Sequence, residues 1–365
     1  MLALRLIAAL AGAALVLAAV RSALQSFVLA RAAPEHITDA VFRVSRAAFR
    51  LRESRATTYE DLDRLMALYA PVTLMLIPLA WAACVLLGYM LVFWAMGVTP
   101  LYAAFRLSGS SLLTLGFESV EAPWVTALVF SEAIIGLGVI ALLIAYLPAM
   151  YAAFARRSAL VGMLEVRAGS PPTGVELLER AHRLEMVEQL EMQMVGSLDE
   201  LFRRWEVWFA EVEESHTSLA ALVFFRSPQP HQSWITAAGA VLDGAALLAS
   251  TVDAPRTPSA ELCIRGGYIA LRQIAGYFDV EYDPDPRPTD PISIHRTEFD
   301  QAYDRLLRSG LPLRQDRDQC WRDFAGWRVN YDVPLLALAS LTRAPYAPWS
   351  SDRCACSALV TGGRP

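Results

Sequence analysis

Two spacings along the chain have the form of metal-ligand sets. Glu179-x-x-His182 and Glu213-x-x-His216 each place a carboxylate and an imidazole on one face of a helix, a spacing that di-iron helical bundles use twice. Such bundles also need a glutamate from each of two further helices, and the stretch 232–251 offers only Asp243. Cys354 and Cys356 form a Cys-x-Cys pair without the second pair of ligands that a structural zinc site requires. The run Glu213 to Thr217 holds carboxylates, hydroxyls and an imidazole, yet nothing sets a nucleophile, a base and an oxyanion donor together. Neither an enzyme nor a resident cofactor is expected. Arg106 and Glu132 make a stronger chemical demand, because both stand in apolar surroundings where a charge has to be paired or wet.

Those surroundings are the apolar runs of the first 150 residues. Of the 365 residues, 55% are apolar, a high share for a soluble domain. A hydrocarbon core of roughly 30 Å is crossed by about 20 mostly apolar residues. Three runs meet that length: 6–29 with Arg21 as its one interior charge, 71–97 with none, and 123–150 with only Glu132. The first run is longer than the core of a signal peptide. The sequence therefore divides into an N-terminal transmembrane helix (1–30), a basic linker (31–70), a second membrane module (71–150) and a soluble domain (151–365).

Arginine placement sets the expected orientation, since basic residues in short loops favour the cytoplasmic side. Arg31, Arg43, Arg46, Arg50, Arg52, Arg55 and Arg64 lie between the first two runs, and Arg156, Arg157 and Arg167 follow the third. The other side has only Arg5 and Arg106. This predicts a multi-pass protein of the cell (inner) membrane, with its N-terminus outside and residues 151–365 cytoplasmic. Within the linker, Val41, Val44, Ala48 and Leu51 recur at helical spacing opposite Arg43, Arg46 and Arg50, a pattern suited either to a helix lying on an anionic leaflet or to a plain solvated linker.

The connection between the second and third runs is too apolar for a loop and too short for another span. Leu101 to Leu113 predicts a half-length helix, followed by Thr114-Leu115-Gly116-Phe117-Glu118-Ser119. Residues 71–150 here resemble the pore domain of bacterial potassium channels, in which a short re-entrant helix ends in a T-V-G-Y-G-type strand between two membrane helices. Thr114, Leu115, Gly116 and Phe117 match its first four positions conservatively.

The resemblance implies an all-α membrane protein built on a two-helix pore-loop module, with an extra N-terminal span and a cytoplasmic helical domain. It implies passive cation conduction, with potassium as the permeant ion, through a homotetramer, because each chain supplies one quarter of a ring of carbonyl ligands. On this reading Thr114 to Phe117 form the selectivity filter and Gly116 permits positive φ. Glu118 sits at the pore mouth, Arg106 and Glu132 brace the filter, and Gly136 and Gly138 let the inner helix bend. Either Arg106 pairs with Glu118 or Glu132, or it reaches the outer interface while Glu132 faces the water-filled pore. The sequence departs from the family pattern where the second filter glycine is replaced by Glu118, which places backbone strain at that residue. The alternative is a non-conducting membrane sensor or scaffold that keeps this fold and signals through its soluble half.

Residues 151–365 predict helices throughout. Thr173-x-x-Glu176 and Ser197-x-x-Glu200 have the form of capping boxes. They precede apolar residues at helical spacing, namely Leu177, Leu184, Val187 and Leu190, then Leu201, Trp205, Trp208 and Val212. Further helices are expected near 232–251, 258–278, 297–309 and 316–342, between breaks rich in proline. No basic stripe interleaved with aromatics is present, so no nucleic-acid partner is expected, and no ligand of the soluble domain can be named.

Overall fold

A computed structural model describes residues 2–27, 36–53, 58–188 and 193–353. Arg31, Arg55, Leu190, Cys354 and Cys356, which entered the sequence reading, lie outside the described residues. The described residues are helical with no strand, apart from an isolated antiparallel bridge between Val252 and Leu313. Four helices are long and apolar enough to cross a membrane. The chain forms two compact units, Met1–Arg55 with Leu68–Ala152, and Ala56–Ala67 with Ala153–Pro365.

The first unit holds α1 (Leu2–Phe27), α2 (His36–Glu53), α4 (Leu101–Leu112) and the apolar parts of α3 (Tyr59–Ala95) and α5 (Pro123–Ala168). Helices α3 and α5 outrun the apolar segments that reveal them, because charged residues continue a helix as readily as apolar ones. Helix α3 thus begins at Tyr59, inside what reads as linker, where the Thr58 hydroxyl accepts the Asp61 backbone N–H at 3.2 Å. Helices α1 and α3 cross at two glycines. A Cβ added to Gly12 would lie 2.4 Å from the Gly88 carbonyl oxygen, so no larger residue fits that approach. Trp81 secures the crossing by donating its indole N–H to Ser22 Oγ at 2.9 Å. Val16, Ala19, Val85, Tyr89, Phe93, Leu107, Leu112 and Val125 form the core of the unit.

The second unit is organised around α8 (Trp234–Thr251), the fourth long apolar helix, in which every residue except Ala249 is buried. Around it stand α6 (Gly174–Glu188), α7 (Gln193–Ser218), α9 (Pro258–Tyr277), α11 (Arg317–Arg328) and α12 (Asp332–Thr342), with α10 (Arg296–Arg308) outside them against α6. Gly174 meets α8 so closely that a Cβ would come within 2.4 Å of Gly244 N. Trp205, Trp208 and Val212 are buried as their spacing predicts, whereas Leu184 is 66% exposed.

Two expectations change here. The single stretch 316–342 is two helices broken at 329–331, with Pro334 in the first turn of the second, where proline fits. Ser197 lies inside α7, which starts at Gln193, and not at the N-cap. Thr173 does cap α6, accepting the Glu176 N–H at 3.1 Å.

Candidate functional site

The candidate site is built from the end of α4 outward. Pro100 sets an extended residue immediately before the helix. One face of α4, carrying Ala104, Leu107, Ser108, Ser111 and Leu112, is buried, while Leu101, Tyr102 and Phe105 point out. Serines anchor the buried face to both neighbouring helices. Ser108 Oγ lies 2.9 Å from the Leu86 carbonyl oxygen of α3 and 2.5 Å from Glu132 Oε1 of α5. Ser111 Oγ donates to the Val129 carbonyl at 2.7 Å.

The close approach of α4 to α5 depends on Gly136. A Cβ there would lie 2.1 Å from the Leu112 carbonyl oxygen, whereas one at Gly138 would meet nothing within 4 Å. Gly136 is therefore a packing glycine at the end of the short helix.

Beyond Leu112 the chain folds back over its own helix terminus and is held by Ser110. The Ser110 carbonyl accepts the N–H groups of Leu115 (2.8 Å) and Gly116 (3.3 Å). Its hydroxyl oxygen accepts those of Phe117 (3.0 Å) and Glu118 (3.1 Å). Four consecutive amides thus converge on one residue. No carbonyl from Leu113 to Glu118 accepts a hydrogen bond from a described residue. Thr114 (φ 54°) and Gly116 (φ 69°) take left-handed backbone. Glu118 does not, and the non-glycine residue with left-handed backbone in this turn is Thr114. Leu113, Leu115 and Phe117 are exposed.

Arg106 and Glu132 have different partners. Arg106 Nη2 pairs with Glu118 at 2.6 Å and its guanidinium lies 5.7 Å from the centre of the Phe117 ring. Glu132 is fully buried against Ser108. Arg106 is thereby the ion-pair partner of Glu118 and not of Glu132. Ser110 is the residue that sequence reasoning missed. Its signal was its place in the last turn of a short helix, where a hydroxyl can capture free amides.

Glu179 and His216, one from each Glu-x-x-His spacing of the second unit, meet arginines. Glu179 is ion-paired with Arg305, and Glu176 joins the same guanidinium. His216 Nε2 lies 2.9 Å from Arg157 Nη1, which also donates to the Leu222 carbonyl, while Nη2 donates to that of Phe225. Burial, and then the Arg157 cation, hold the His216 pKa well below the usual histidine value. Among the described residues no three histidine, cysteine or acidic side chains are grouped to hold a metal. Arg328, fully buried, joins α8, α11 and α12 by contacting Asp243 (2.6 Å) and Asp332 (2.7 Å).

No family model matches this chain, and no curated protein or solved structure matches it either.

Proposed function

We propose that the chain is a cation-conducting membrane pore, with potassium as its permeant ion, that works as a homotetramer in the cell membrane. The observation that carries this reading is the turn held by Ser110. It binds the amides of Leu115 to Glu118 inward, and among the described residues no donor reaches the carbonyls of Leu113 to Glu118. A strip of backbone with free carbonyls is costly at membrane depth unless it lines water or meets other protein. Carbonyl oxygens of that kind replace the hydration shell of a cation. The exposed Leu113, Leu115 and Phe117 agree with a strip completed by other copies. In this assembly Thr114 to Phe117 line the axis, Glu118 with Arg106 braces the mouth, and Glu132 fixes the short helix from behind. The arginine distribution supports an external N-terminus and cytoplasmic residues 151–365.

The test is reconstitution into potassium-loaded liposomes, with ion efflux and the mass of the detergent-solubilised particle as readouts. Potassium efflux that is lost in Gly116→Val, from a particle of four chains, is the expected result. A monomeric or dimeric particle, or efflux unchanged in Gly116→Val, overturns the reading, because a β-branched residue at φ 69° distorts any carbonyl strip.

A further inference from the structure

Helix α2 is amphipathic in three sectors. One sector packs within its own unit, where Ser45 is buried and the Phe49 ring lies 5.3 Å from that of Tyr69. Beside it runs an exposed apolar stripe of Val44, Ala48 and Leu51, one turn apart, with Val44 69% and Leu51 75% exposed. Arg43, Arg46 and Arg50 lie on one side of the stripe and Arg52 borders its other edge, and these four outnumber Asp39 and Glu53 on this helix. An exposed apolar stripe bordered by surplus cations is complementary to a surface that is apolar below and anionic above. A soluble protein partner with an apolar groove would satisfy the stripe and offer no anion to Arg43, Arg50 and Arg52. Position narrows the choice further. Helix α1, of membrane-spanning length, ends at Phe27, and a link over residues 28–35 reaches no more than roughly 30 Å.

We propose that α2 is a docking surface for anionic phospholipid, lying in the headgroup layer with Val44, Ala48 and Leu51 among the acyl chains and its arginines against phosphate. The inference is independent of whether the chain conducts. The arginines supply the lipid preference and the stripe supplies the depth.

The test uses the full chain in vesicles of phosphatidylcholine with or without phosphatidylglycerol, bearing a photoactivatable benzoylphenylalanine at position 44, 51 or 47. The expected result is capture of phosphatidylglycerol at positions 44 and 51, at least threefold above phosphatidylcholine at equal content, and little capture at Ala47 on the charged side. Arg43→Gln, Arg50→Gln and Arg52→Gln together should remove that preference while capture of total lipid at position 51 persists. Capture of a second copy of the chain in place of lipid overturns the proposal. So does equal capture of both lipids, or a preference unchanged by the three substitutions.

Discussion

Replacing Ser110 by alanine removes one oxygen atom and leaves two amides without an acceptor. The Phe117 and Glu118 N–H groups lose their bonds of 3.0 and 3.1 Å, while the Leu115 and Gly116 amides keep the backbone carbonyl. Both lost bonds are part-buried, so water replaces them only partly. At about 1 kcal/mol each, the ordered turn is weakened by about 2 kcal/mol, or roughly 30-fold in its closing equilibrium. Hydrogen exchange of the amides at 115–118 should therefore rise by about that factor in Ser110→Ala, and by much less in Ser111→Ala, whose hydroxyl bonds to Val129. In liposomes the same variant should admit sodium alongside potassium, because the strip no longer holds one spacing. Unchanged exchange at 115–118 would refute the structural reasoning. Raised exchange with undisturbed ion preference would refute its link to selectivity.

Three further outcomes follow from the geometry. Gly136→Ala should lower the thermal stability of the purified protein, since overpacking costs about 1–3 kcal/mol and the new Cβ would press on Leu112; Gly138→Ala should melt near the parent temperature, and equal effects would contradict the packing role of Gly136. Glu118→Gln uncovers the Arg106 cation, so cation flux should fall most at low ionic strength and recover when Arg106→Gln is added; a deficit that persists in the double variant would show that Glu118 acts without Arg106. The depressed pKa of His216 means that the unfolded chain binds the extra proton first. Stability should therefore fall on acidification below about pH 6.5, by up to about 1.4 kcal/mol per pH unit from this group. His216→Gln, which keeps an acceptor for Arg157, should flatten the slope between pH 6.5 and 5.5 measured by thermal unfolding, and an unchanged slope would assign the effect elsewhere.

Apolar length was the most legible property, because an uninterrupted run of uncharged residues has few uses other than a span or a buried helix. Composition alone does not separate those two uses. Helix α8 is long and apolar enough to cross a membrane yet is enclosed by its own unit. Helix ends were legible where a hydroxyl did capping work, as at Thr173, and misleading at Ser197, where the helix had already begun. The break at 329–331 carried a signal in Pro334 that the surrounding apolar periodicity outweighed. At the candidate site, Thr114, Gly116 and Glu118 stood out by residue type. The role of Ser110 depends on where the chain returns after α4, and no spacing rule encodes that path. The choice of Arg106 between Glu118 and Glu132 was open for the same reason.

The buried contact between Arg328 and Asp243 spans 85 residues of sequence, and this separation has a bearing on how the protein is made. When α8 leaves the ribosome, Arg328 does not yet exist, and an insertion machinery meets an apolar helix of 18 residues with one carboxylate near its middle. An aspartate at that depth opposes transfer into lipid by about 2.5–3.5 kcal/mol. The same carboxylate thus opposes the bilayer while α8 stands alone and, in the folded chain, receives the guanidinium of Arg328.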